Sequence, residues 1–272
     1  MYRIPPAALR YTAQVVCMLG LAVAFSVLAG VPARAAGLVE TIEHIKPSVV
    51  GIGTFQKTRS PAVAFLATGF AVADGQHVVT NAHVIAAPLD AEKMETRIVL
   101  VSGQGGPRAV DAQVVALDKD HDLALLRIAG DPLPALKLGA SENIREGTNL
   151  AFTGFPIGMV LGFHPGTHRG MVAAITPVAL PGLAARQLDT RMISRLRSAA
   201  YNVFQLDGTA YPGNSGSPLY DPDDGIVYGI INSVFVQGTR EAAIGHPSGI
   251  TYAIPSQYIR ELLQREKLLG FD

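Results

Sequence analysis

From Ser48 onward the chain is written in short apolar runs, separated by glycine, aspartate, proline or serine every eight to fifteen residues. The runs are SVVGIGTF, GFAVADGQHVVTNAHVI, RIVLVS, AQVVALD, LALLRIA, NLAFTGF, GMVAAITPV, GIVYGIINSVFV and GITYAIP, and all are rich in Val, Ile, Ala and Phe. Runs of this length with turn residues between them predict strands, and their regular spacing predicts an all-β barrel or sandwich.

Two segments follow helical spacing instead. LVETIEHIK places apolar residues at 38, 39, 42 and 45 before Pro47 ends the pattern, and PSQYIRELLQREKLLG places them at 259, 262, 263 and 268. Both predict amphipathic helices at the ends of the β region, the second with Ser256 as its N-cap. Residues 179–200 fit neither rhythm. They carry Arg186, Arg191, Arg195 and Arg197 against Asp189, with Leu188, Met192 and Leu196 at helix-face spacing. This reads as a solvated surface insertion, with a regulatory or partner-binding loop as the sharper alternative.

The first 35 residues have a different character. Arg3 and Arg10 precede an uncharged stretch from Val15 to Gly30, and Ala33 and Ala35 follow at small-x-small spacing. A positive start, an apolar middle and a small-residue exit predict a secretory signal peptide, 1–35. A retained membrane anchor over residues 13–31 is the alternative. Both readings export residues 36–272, which form one expected domain with none after it. Acidic and basic residues balance at 22 each, so no overall charge recruits nucleic acid or, once the signal is removed, a membrane. The single cysteine, Cys17, lies inside the presumed signal. No disulfide or thiol chemistry is therefore expected of the mature chain.

The chemistry concentrates in GNSGSPLY, residues 213–220. A turn alone would explain the glycines, but a nucleophilic serine on a tight turn explains the whole stretch. Such a serine needs a histidine to take its proton and a carboxylate to orient that histidine. His83, in VVTNAHVI, follows a β run and small polar residues. His44, His77, His121, His164, His168 and His246 read as packed or surface side chains. In DKDHDLALLRI, Asp122 directly abuts the apolar run, while Asp118 and Asp120 read as parts of a solvated turn. The order His83, Asp122, Ser215, with separations of 39 and 93 residues, is that of chymotrypsin rather than of subtilisin or the α/β-hydrolases. No His/Asp/Glu cluster has metal-ligand spacing and no glycine loop has phosphate-binding form, so neither metal nor cofactor is expected.

TNAHV, DLALLRI and GNSGSPL resemble the triad blocks of trypsin-fold serine proteases, and the flanking text resembles the HtrA/Deg branch over roughly residues 38–265. The resemblance implies two six-stranded antiparallel β-barrels, about 36–140 and 141–272, with the site between them, a short N-terminal helix and a C-terminal helix. It implies His83, Asp122 and Ser215 as catalytic residues and the Gly213 and Ser215 backbone N–H groups as the oxyanion hole. The wall before the serine and the strand facing it imply a substrate pocket of Thr209, Ala210, Ile231, Asn232, Ser233 and Val234. No charge lies among these residues, which favours a small or medium apolar side chain there. The PDZ domains usual in the HtrA branch are absent from this text. Asn214 replaces the aspartate with which digestive relatives gate activation, so no propeptide cleavage beyond signal removal is expected.

The implied activity is that of an exported serine endopeptidase, periplasmic or secreted, acting on unfolded polypeptides in protein quality control. A homotrimer is the family expectation. The rival reading is a trypsin-fold binding or chaperone-like module with little or no proteolysis.

Overall fold

The computed structural model describes residues 37–103, 105–158, 162–178, 201–233 and 249–270. The signal-like residues 1–35, the arginine-rich segment 179–200 and Val234 lie outside the described residues.

Twelve strands form two closed barrels. The first contains β1 (Val49–Phe55), β2 (Val63–Val72), β3 (His77–Asn81), β4 (Thr96–Val101), β5 (Arg108–Asp118) and β6 (Leu123–Ile128), in the order β1-β2-β3-β6-β5-β4. The second contains β7 (Asn149–Gly154), β8 (Gly166–Pro177), β9 (Asn202–Asp207), β10 (Pro218–Tyr220), β11 (Val227–Asn232) and β12 (Ile250–Pro255), in the order β10-β11-β12-β9-β8-β7. Every ladder is antiparallel. Closure leaves neither sheet with an unpaired edge.

The near-continuous apolar runs have a simple cause: strands at the junction bury both faces. Along β6, Ala124, Leu126 and Ile128 fill the first barrel beside Val50, Ile52, Val78 and Val99. Leu123 and Leu125 point the other way, into a second core shared with Phe70, Val72, Phe155, Tyr220 and Ile254. A third core fills the second barrel with Leu150, Phe152, Val172, Phe204 and Leu206. Alternation with period two thus sends successive apolar residues to different cores.

Helix α1 (Leu38–Ile45) packs Ile45 into the shared core, but Val39 is exposed and Thr41 takes the buried place. Helix α2 (Ser256–Arg265) buries Ile259, Leu262 and Leu263 against the same core. The expectation for Ser256 is corrected. It is the first helical residue, not the cap, and its hydroxyl donates to the Gly139 carbonyl at 2.8 Å. Two short strands escaped the sequence pattern, β9 and β10. The second is only three residues long, directly after the turn that carries Ser215. Among the described residues no helix is long and apolar enough to cross a membrane.

Candidate active site

His83 lies on a 3₁₀ turn, Ala82–Ile85, that follows β3 directly. The turn is braced at its end by Arg97, whose guanidinium donates to the Ile85 carbonyl at 3.1 Å. Asp122 caps the entry to β6 and has a left-handed backbone, φ 52°, which an aspartate tolerates better than most residues. That conformation turns the carbonyl of Asp122 toward Ala82 N–H at 3.0 Å and Asn81 Nδ2 at 3.2 Å. It also turns the carboxylate toward His83. The His83 backbone N–H donates to Oδ1 at 2.8 Å, and its ring Nδ1 meets Oδ2 at 2.6 Å. One carboxylate therefore fixes the imidazole in position and in tautomer, with Nδ1 as the donor and Nε2 left as the basic nitrogen.

Ser215 comes from the other barrel. Its turn is held by Thr68 of the first barrel at two points. Thr68 donates through Oγ1 to the Gly213 carbonyl at 2.7 Å, and Thr68 N–H donates to the Ser215 carbonyl at 2.9 Å. The same Thr68 hydroxyl accepts from Phe155 N–H at 3.0 Å. Gly213 has φ +100°, and a side chain there would place Cβ 2.3 Å from the Phe155 carbonyl oxygen. Only glycine fits that turn. Among the described residues, the backbone N–H groups of Gly213 and Ser215 make no hydrogen bond, so both donors remain for a ligand. Asn214 behind them is fully buried, and neither of its amide atoms has a partner among the described residues.

Ser215 is 4% exposed, and its hydroxyl pairs with the hydroxyl of Ser233. The Ser233 N–H also points at it, 3.4 Å away. Among the described residues no hydrogen bond joins Ser215 Oγ to His83 Nε2.

The pocket residues named from sequence separate. Ile231 is fully buried in the core of the second barrel. Asn232 turns to the acid, donating from Nδ2 to Asp122 Oδ2 at 2.7 Å. Its neighbour Ser233 faces Ser215. The Ala210 N–H donates to Thr251 Oγ1 at 2.7 Å, which together with the Thr251 hydroxyl bonded to Gly208 braces the wall that carries Thr209. Asp118 also departs from expectation. It is buried at the end of β5 and ion-paired, rather than solvated. Sequence reasoning missed Thr68 altogether, although a Thr-Gly pair inside the apolar run AFLATGFAV is the mark it left.

A model of the trypsin-like peptidase domain matches residues 67–230, a span from β2 to β11 that holds all three residues of the site. The chain belongs to the trypsin-like peptidases. Within them it is similar to the serine protease HTRA1B of Danio rerio, at 32% identity over 234 residues, covering 83% of this chain and 40% of that protein. It is also similar to a probable periplasmic serine endoprotease, DegP-like, of Halomonas elongata, at 32% over 190 residues, 70% of this chain and 32% of that one. The chain thus spans well under half the length of these curated relatives. Among solved structures, the HtrA-type protease AlgW with decapeptide superposes with a TM-score of 0.62 at 24% identity, covering 84% of this chain and 67% of that one. That likeness is one of fold: the double barrel of the trypsin-like peptidases.

Proposed function

We propose that this trypsin-like peptidase is an exported serine endopeptidase that uses His83, Asp122 and Ser215. The observation that carries the reading is the doubly bonded His83–Asp122 couple, tied through Asn232 to the strand end where Ser233 meets the hydroxyl of the glycine-held Ser215. The Ser215 oxygen attacks a peptide carbonyl carbon while His83 Nε2 takes the hydroxyl proton. The carbonyl oxygen becomes an oxyanion, held by the Gly213 and Ser215 N–H groups. His83 then hands its proton to the leaving amine, and water, deprotonated in turn by His83, releases the acyl group. Asp122 stabilises the imidazolium throughout. Before the first step the Ser215 hydroxyl must leave Ser233 and rotate to His83.

Thr209, Ala210 and Ser233, none of them charged, support a preference for a small or medium apolar side chain before the scissile bond. The signal-like residues 1–35 support export, to the periplasm or outside the cell, and the similarity to HtrA and DegP relatives supports unfolded polypeptides as substrates in protein quality control.

The test compares the full chain with Ser215→Ala on unfolded casein between pH 5 and 9. Cleavage by the former alone is the expected result. The Ser215–Ser233 contact favours one second reading, a binding or chaperone-like module with little proteolysis. Two folded and equally inert proteins that suppress aggregation of casein would establish it instead.

A further inference from the structure

A second carboxylate–imidazole pair stands one residue behind the first. Asp118 accepts from the His121 backbone N–H at 3.1 Å and pairs with His121 Nδ1 at 3.0 Å. This repeats the double bonding of Asp122 to His83, four residues earlier in the chain. The guanidinium of Arg265, in the last turn of α2, also donates to the Asp118 carboxylate. Burial raises the Asp118 carboxyl, but the hydrogen bonds from His121 and Arg265 outweigh it and hold the group below its ordinary value. It is thus an ionised carboxylate with its oxygens occupied.

The His121 ring is clasped as well. It stacks on Tyr258 of α2 with centroids 4.1 Å apart and planes 17° from parallel. It meets Tyr201, just before β9, edge-on at 4.8 Å. Tyr201 and Tyr258 touch each other at 5.2 Å. Burial pushes the Tyr201 phenol up, and the negative charge of Asp122 pushes the same way, so Tyr201 lies within the field of that carboxylate. The five-residue turn from Asp118 to Asp122 is therefore gripped by groups from α2 and from the second barrel, while Asp122 itself must hold a left-handed backbone.

We propose that Asp118, His121, Arg265, Tyr201 and Tyr258 form a positioning assembly for Asp122, through which helix α2 sets the geometry of the His83–Asp122 couple. His121 is covalently adjacent to Asp122, so a shift of its ring is a shift of the Asp122 backbone. A carboxylate bonded at 2.6 and 2.8 Å to one residue has little room to absorb it. An anchor that only stabilised the fold could sit anywhere on α2; this one ends on the residue preceding the acid. The proposal rests on the hydrolytic reading above.

The test uses the full chain with His121→Ala, Arg265→Ala and Arg265→Lys, at a temperature where each is folded. Arg265→Ala removes a guanidinium that is 57% exposed, and it serves if His121→Ala does not fold. Expected for both alanine variants is a fall in kcat of about 10- to 100-fold, the scale of an ångström misplacement. KM stays within about twofold, and Arg265→Lys recovers most of the loss. The second readout needs no turnover. The proton on His83 Nδ1, followed by NMR, is expected to move in the alanine variants and return in Arg265→Lys. Unchanged kcat with a lower melting temperature, or a change in KM alone, overturns the proposal. If the unsubstituted chain hydrolyses nothing, the hydrolytic reading fails by itself, and the His83 proton still decides: an unmoved resonance in both alanine variants overturns the positioning role.

Discussion

Gly213→Ala tests the nucleophile turn more sharply than removal of any catalytic side chain, because it leaves every one of them in place. Two costs attend the added methyl. The first is conformational: φ +100° is costly for any residue with a Cβ, about 1–3 kcal/mol. The second is steric. The methyl carbon would sit 2.3 Å from the Phe155 carbonyl oxygen, closer than ordinary contact by roughly an ångström. The carbonyl cannot retreat freely, since it accepts from Gly158 N–H at 3.2 Å. The relief open to the turn is a rotation of the peptide entering residue 213, which swings its N–H out of the oxyanion position. Loss of one such donor costs about 10²–10³ in turnover, ~3–4 kcal/mol.

Gly130→Ala is the control. Gly130 has nearly the same backbone angle, φ +99°, but a Cβ there would meet nothing within 4 Å. It carries the conformational cost without the collision. Initial rates on fluorescent casein, labelling of Ser215 by a fluorophosphonate, and thermal unfolding separate the two. Both variants are expected to lose a few degrees of melting temperature. Only Gly213→Ala is expected to lose labelling and turnover by the factor above. Activity within twofold of the unsubstituted chain for Gly213→Ala would refute the assignment of the oxyanion donors.

Asp122→Asn keeps a side chain tolerant of the left-handed backbone but no longer enforces the His83 tautomer; turnover is expected to fall by about 10⁴, the loss seen when this acid is neutralised in the Ser-His-Asp template, with little change in melting temperature. Ser233→Ala frees the Ser215 hydroxyl, and fluorophosphonate labelling is expected to accelerate several-fold; slower labelling would make Ser233 a supporting donor instead of a competitor. Thr68→Val strands the Gly213 carbonyl and the Phe155 N–H, each at about 1–3 kcal/mol, so denaturant unfolding should show a loss of several kcal/mol and labelling should slow with it. Burial lowers the His168 imidazole below its ordinary value. The unfolded chain then takes up a proton first, and this group's contribution to stability is complete above pH ~6.5 and is lost as pH falls through the lower, folded value. His168→Phe, stacked as His168 is on Phe152, should flatten that acid-side slope in melting temperature measured from pH 5 to 8.

Much of this was written plainly in the chain. The β rhythm located most of the strands because strands such as β6 bury both faces and so show as unbroken apolar text. His83, Asp122 and Ser215 stood out because each sits at the junction between such a run and a small polar turn. What stayed hidden depends on long-range pairing. Asn232 and Ile231 are neighbours on one strand, and alternation sends one to Asp122 and the other into a barrel core; sequence gives the alternation but not which face is which. Asp118 looked like a turn residue because its partners, His121 apart, come from a helix 147 positions away. β9 follows the arginine-rich segment, and its text, NVFQLD, is half polar and does not stand out from it.

Thr68 carries one further implication. Ser215 belongs to the second barrel, yet the shape of its turn is imposed by a hydroxyl and an N–H from a strand of the first. Neither half of the chain encodes the turn alone. Two halves expressed apart would each have a barrel to fold into, and the serine half would still lack the mould for its own loop. By the same token, a chimera that joins the first barrel of one relative to the second of another inherits a working serine only if residue 68 and the loop it grips travel together.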